Sequence, residues 1–130
     1  MGPQVDPVAF DHDVPAEADV VVIGGGIIGM STALFLAERG LEVVLCEKGH
    51  IAGEQSSRNW GWCRQAKRDP REFDLIREAL ALWRGMDARV GAPTGFATTG
   101  ILFSAATEEK EAYYAEWVKE AAAAGIASEM

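Results

Sequence analysis

The sequence predicts an α/β fold organised on one parallel strand–helix–strand unit, and three observations predict it. Val20 to Ile23 is a short β-branched run, as expected for a strand buried on both faces. Gly24, Gly26 and Gly29 follow at GxGxxG spacing and open an apolar helical segment reaching Arg39, with Gly40 placed as a helix C-cap. Val43, Val44, Leu45 and Cys46 then form a second buried strand that ends at Glu47, 18 residues after Gly29.

Strand, glycine turn, helix, strand and acid in this register make a Rossmann-type dinucleotide fingerprint. Each part has a physical task. Gly24 makes the tight turn out of the strand. Gly26, lacking a Cβ, lets a pyrophosphate approach the backbone. Gly29 lets the helix lie close on the strand. Free N–H groups near Ile27 and Ile28 and the helix N-terminus favour phosphate charge. Glu47 is placed to accept hydrogen bonds from the adenosine ribose, and an acid there disfavours a 2′-phosphate. A βαβ unit with a tight turn and no ligand would leave the three glycines without a reason. Glycine in a helix costs about 1 kcal/mol relative to alanine.

Composition sets wider bounds. The 130 residues suggest one domain, with 48% hydrophobic and 25% charged residues as in ordinary globular proteins. A formal net charge of -8 disfavours nucleic-acid binding through a basic patch. The two cysteines have no metal-ligand spacing and indicate no disulfide framework; Cys46 is expected as a small buried hydrophobe and Cys63 in a loop. His12 and His50 are isolated near loop signals and are expected at the surface. Residues 1 to about 17, rich in acids and prolines, read as a mobile lead-in, not a secretory signal. No run approaches the length of a membrane span, and a cytoplasmic protein is the expectation.

After the fingerprint, Lys48 to Asp69 is a long connection with little apolar periodicity. It carries Ser56, Ser57, Arg58 and Asn59, then Gly61 between Trp60 and Trp62. Hydroxyls and an arginine suit phosphate oxygens, and tryptophan can wall a flat ring. Composition alone equally allows an exposed loop with two tryptophans in a satellite cluster. Pro70 opens a helix running to about Val90, whose Phe73, Ile76, Ala79, Leu80, Trp83, Met86 and Val90 form an amphipathic core-packing face. Gly95 to Thr98 and Ile101 to Phe103 read as short strands. Thr107 caps a third helix with Glu108 and Glu109 in its first turn, and Gly125 ends it.

The fingerprint together with the S-S-R-N-W-G-W-C-R-Q loop resembles the N-terminal part of the FAD-dependent D-amino-acid oxidase family, which includes glycine oxidase, sarcosine oxidase and D-amino-acid dehydrogenase. The resemblance covers nearly all of residues 18 to 130, and the loop raises FAD above NAD. It implies an FAD-binding part at 18–69 and the start of a substrate domain at 70–130, together an incomplete domain. Gly24, Gly26, Ile28 and Gly29 would hold the pyrophosphate, and Glu47 the ribose with Lys48 beside it. Ser56, Ser57 and Arg58 would lie along the phosphates, with Asn59, Gly61 and Trp62 near the flavin. Trp60 and Trp62 depart from the small residues commoner at those positions. Cys63 is expected as a plain thiol, not a flavin anchor.

The implied chemistry is oxidation of a C–N bond of an amine or amino acid by hydride transfer to flavin, after which the imine hydrolyses. In that family a later part of the chain completes the flavin site and supplies the substrate-binding groups. The expectation is therefore an N-terminal piece or one subunit, inactive alone, with uncovered sheet edges and an apolar face awaiting the rest of the chain or a partner. Catalytic residues, the amine and the electron acceptor are not legible. Two other readings stay open: a non-catalytic dinucleotide-binding fragment, and part of an NAD-dependent dehydrogenase.

Overall fold

A computed structural model describes residue 5 and residues 7 to 130. Part of the expected lead-in, residues 1–4 and 6, lies outside the described residues; residues 7–17 form neither helix nor strand. The chain divides into two compact units, residues 1–61 and 62–130.

The first unit is the βαβ unit. Strand β1 (Val20–Ile23), helix α1 (Ile27–Ala37) and strand β2 (Val43–Cys46) follow in order. The strands are parallel, with Val20 opposite Val43 and Ile23 opposite Cys46. At its start the pair is tied by Asp19, whose Oδ2 accepts the Glu42 N–H at 2.8 Å. At its end the Gly24 N–H donates to the Cys46 carbonyl at 2.8 Å. Helix α1 closes in a Schellman motif: the Leu41 N–H reaches the Leu36 carbonyl and the Gly40 N–H the Ala37 carbonyl, with Gly40 at φ +82°. A left-handed residue is what glycine adopts without a Cβ penalty.

Two expectations fail here. The β1 strand is not buried on both faces: Val20 and Val22 are half-buried, while Val21 is exposed and Ile23 is 88% exposed. Strand β2 is not buried either: Val43 to Leu45 are half-buried, and Cys46, expected as a buried hydrophobe, is exposed. The reason is shared. Only one helix covers this two-stranded sheet within the unit, so alternate side chains meet no second layer.

The second unit is built from two helices. A 3-10 turn at Pro70–Glu72 leads into α2 (Phe73–Val90). Asp69 caps that turn, accepting the Arg71 N–H at 2.9 Å and pairing with the Arg71 guanidinium at 2.6 Å. Gly91 ends α2 in the left-handed conformation, φ +70°. Helix α3 (Glu108–Ala123) starts at Thr107, whose hydroxyl accepts the Lys110 N–H at 3.3 Å. It ends in a second Schellman motif, the Ile126 N–H on the Ala121 carbonyl and the Gly125 N–H on the Ala122 carbonyl. Such a motif brings its flanking apolar side chains together. Ala121 and Ile126 are accordingly buried, and join Phe73 and Trp117 in the core cluster.

The segment after α2 departs from expectation. Residues 95–98 and 101–103 form no strand. A strand needs a ladder partner, and none exists among the described residues; Gly95 and Gly100 also sit at positive φ. Side chains fasten the segment instead. Asp87 accepts both the N–H and the hydroxyl of Thr94, at 2.8 and 2.6 Å. Phe96 stacks on Trp83 with ring centroids 5.8 Å apart. The Lys67 ammonium lies 4.3 Å from the Tyr114 ring centroid and 5.0 Å from that of Phe103, a cation–π pairing that ties residue 103 to α3.

Candidate functional site

The glycine turn between β1 and α1 is shaped by close approach. Gly24 takes φ +108°, the sharp exit from the strand. An ideal Cβ on Gly29 would stand 1.8 Å from the Gly24 carbonyl oxygen, so only glycine lets α1 begin this close to β1. Gly25 is buried, and a Cβ there would meet Ile51 Cδ1 at 2.5 Å.

The amides of this turn divide into two sets. The Gly25 N–H donates to Glu47 Oε2 at 2.7 Å, and the Ile27 N–H to Ser56 Oγ at 2.9 Å. The N–H groups of Gly26, Ile28 and Gly29 have no hydrogen-bond partner among the described residues. They lie at the N-terminus of α1, which carries no acid in its first turn to offset the positive end of the helix dipole. Gly24, Gly26, Ile28, Gly29, Thr32 and Ser56 line a cleft of about 320 Å³ beside them. Unpartnered donors converging on a helix N-terminus are the donor set that a pyrophosphate satisfies. The residues present therefore fit a dinucleotide.

Glu47 does more here than its sequence position suggested. Besides Gly25, its other oxygen accepts the Gly49 N–H at 2.8 Å. These backbone bonds, Gly25 first, hold the carboxyl below its ordinary range. Four lone-pair positions on a carboxylate leave two for ribose hydroxyls. Lys48 turns to Glu54 at 2.9 Å, and that hydrogen bond raises its pKa.

The remaining expected residues separate. Ser56 enters the cleft; Ser57 folds back, donating to the Glu54 carbonyl at 3.1 Å. The Arg58 side chain is exposed and has no partner among the described residues. Asn59 organises the turn before Gly61, donating to the Ser56 carbonyl at 2.7 Å and accepting the Gly61 N–H at 2.5 Å. Gly61 sits at φ +70°, and Trp62, exposed, begins the second unit. Sequence reasoning missed Ala52. Its N–H donates to the Gly25 carbonyl at 2.9 Å, pinning the connection to the glycine turn. It does so from φ +57°, a left-handed conformation that an alanine does not advertise. Thr32 was also missed; it lines the cleft while its hydroxyl donates to the Ile28 carbonyl at 2.8 Å.

Comparison with known proteins agrees with this geometry. Residues 19–130 match the model of the FAD dependent oxidoreductase family. The chain resembles the solved L-amino acid deaminase from Proteus vulgaris with a TM-score of 0.82 and 40% identity, over 93% of this chain and 28% of that one. It is 42% identical over 82 residues to the glycerol-3-phosphate dehydrogenase of Mycobacterium leprae (strain TN), covering 62% of this chain and 14% of that protein. It is 31% identical over 98 residues to the mitochondrial pyruvate dehydrogenase phosphatase regulatory subunit of Mus musculus, covering 75% of this chain and 11% of that protein. The chain thus spans a small part of the length of the relatives it matches. With the family match running from the residue before β1 through α3, the chain belongs to the FAD-dependent oxidoreductase family, whose cofactor is FAD.

Proposed function

We propose that this chain is the FAD-binding part of an enzyme that oxidises the C–N bond of an amine or amino acid. The observation that carries the reading is the 40% identity to an L-amino acid deaminase over 93% of the chain. Deamination of an amino acid begins at that bond. When bound, the flavin would supply the two-electron acceptor for the hydride leaving the carbon that bears the amine.

The roles of this chain's own residues are binding and orientation. The amides of Gly26, Ile28 and Gly29 would take the pyrophosphate, and Glu47 the ribose hydroxyls through its remaining lone pairs. Arg58 would meet phosphate charge, and Asn59, Gly61 and Trp62 would approach the ring. The substrate-binding groups and the rest of the flavin site would come from further chain or a partner subunit. Two facts support that completion: the chain covers 28% of the deaminase, and Ile23 and Ile28 are 88% and 79% exposed.

A second reading is favoured by a specific observation. One relative is named as a regulatory subunit, so a chain of this family can be proposed to bind dinucleotide without catalysis. Absorption spectra taken before and after FAD addition and gel filtration test the binding. Flavin bands should stay with the protein, or with a longer chain carrying the remainder. Anaerobic addition of amino acids to the longer, yellow chain should then bleach those bands. Bleaching by glycerol 3-phosphate alone would overturn C–N specificity. Retained flavin that no donor bleaches would favour the non-catalytic reading.

A further inference from the structure

Arg64 and Lys67 are half-buried, and neither pairs with a carboxylate among the described residues. Acids outnumber bases 20 to 12 in this chain, so the missing counter-charge at both positions is not for want of acids. Both cations lie against one ring instead. The Phe103 centroid is 5.0 Å from the Lys67 ammonium and 5.9 Å from the Arg64 guanidinium carbon. Tyr113 and Tyr114 complete the box, their centroids 5.3 and 4.3 Å from Lys67 Nζ. Ring faces offset part of the cost of desolvating a cation. They leave the repulsion between two like charges in place.

The backbone is strained to hold this arrangement. Lys67 takes φ +56°, in the left-handed region, where a residue with a Cβ is disfavoured. Arg64 Nη1 fixes it there by donating to the Ala66 carbonyl and, at 3.3 Å, to the carbonyl of Lys67 itself. Strain of this kind collects at ligand clamps. Donors also remain open in the box. Lys67 Nζ donates to the Tyr114 hydroxyl at 3.3 Å, and the Tyr114 O–H and the other ammonium hydrogens have no acceptor among the described residues. The Nε and Nη2 donors of Arg64 are likewise without one.

We infer that Lys67, Tyr114 and Arg64 form a binding site for a small free carboxylate. One carboxylate oxygen accepts from the Lys67 ammonium and the other from the Tyr114 O–H, with Arg64 adding charge from across Phe103. Two donor atoms 3.3 Å apart suit the paired oxygens of one carboxylate. An anion beside both cations also offsets their repulsion. None of these residues lines the glycine cleft, so the inference stands independently of the dinucleotide reading.

The test titrates the 130-residue chain with benzoate, followed by the NMR signals of the Phe103, Tyr113 and Tyr114 rings. Binding should saturate. Affinity should fall about tenfold in Lys67→Met, which keeps the stem and removes the charge, and in Tyr114→Phe, which keeps the ring and removes the hydroxyl. Lys119→Met, at an exposed lysine of the same unit, should leave affinity unchanged. Should Lys67→Met fail to fold, Tyr114→Phe decides alone. No saturable binding in wild type, or equal affinity in wild type and the folded variants, would overturn the site. Sulfate or benzyl alcohol binding as well as benzoate would overturn the carboxylate class. A longer chain whose own acidic side chain closes the box against benzoate would overturn the claim for a free ligand.

Discussion

The two units of this chain are held together by different physics. The unit at 62–130 has a conventional core: Phe73, Trp117, Ala121 and Ile126 are buried against one another across two amphipathic helices. The unit at 1–61 buries no large apolar side chain among its described residues; the residue it buries is Gly25. Its order comes from backbone approach and hydrogen bonds, with α1 crowded onto β1 at Gly29 and the turn laced by Glu47, Ser56 and Ala52. The first unit keeps three turn amides without partners among the described residues and its cleft open. The second unit buries side chains instead.

The contrast predicts different responses to mutation, the largest in the second unit. Trp117→Ala should destabilise the chain by about 3 kcal/mol, the cost of emptying an aromatic site in a core. ADP affinity of the folded fraction should stay within about twofold of wild type, as for a substitution with no shared partners. Thermal melts and ADP titration check both; affinity falling in step with stability would break the contrast.

Gly29→Ala comes next. Its methyl meets a carbonyl oxygen of the backbone, which cannot rotate away, so overpacking should cost about 2 kcal/mol or more. Here nucleotide binding should be lost together with stability, because the same displacement moves the turn amides proposed to hold the pyrophosphate. A variant that still binds ADP normally would show that the helix can shift without harm to the site.

Glu47→Gln sharpens the comparison within the first unit. The amide keeps one acceptor oxygen where the carboxylate serves Gly25 and Gly49 with two. FAD affinity should fall about tenfold, the loss of a charge-assisted hydrogen bond, with little change in far-UV circular dichroism. Unchanged affinity would remove Glu47 from the cofactor site.

The smallest effect concerns pH. Asp69 is held down to about 2 from 3.8, first by the Arg71 side chain and then by the Arg71 N–H. A depressed carboxyl contributes fully above its unfolded pKa and loses that contribution as the pH falls through its folded value. The entry to α2 should therefore loosen between about pH 4 and pH 2 and be indifferent to pH above that window. Asp69→Asn should flatten this part of an acid titration followed by tryptophan fluorescence. A transition of unchanged shape would assign it to other carboxyls.

Much of this architecture was legible because its signals are local. Three glycines at fixed spacing, two β-branched runs and an acid specify the βαβ unit without reference to distant residues. Gly91, Thr107 and Gly125 likewise marked ends of α2 and α3 through capping chemistry, while Pro70 opens the 3-10 turn that leads into α2. The two short strands at 95–98 and 101–103 were misread for the complementary reason. Their pattern of threonine and apolar residues suits a strand, but a strand exists only with a partner, and Phe96 and Phe103 are held by Trp83 and Lys67 instead. Cys46 was placed in the right element and on the wrong side of the burial line, because burial depends on a second layer.

The sequence by itself determined the order of elements, the glycine turn between β1 and α1 and the family to which the chain belongs. All three follow from residue types that act on their own backbone or on neighbours a few positions away. Only the tertiary structure decided how the site's groups are shared. It set Glu47 on the Gly25 amide, Ser56 on the Ile27 amide and Ala52 on the Gly25 carbonyl, and left the N–H groups of Gly26, Ile28 and Gly29 without a partner among the described residues. Those assignments join residues 22 to 29 positions apart, where chain spacing carries no information and geometry alone selects which donor meets which acceptor.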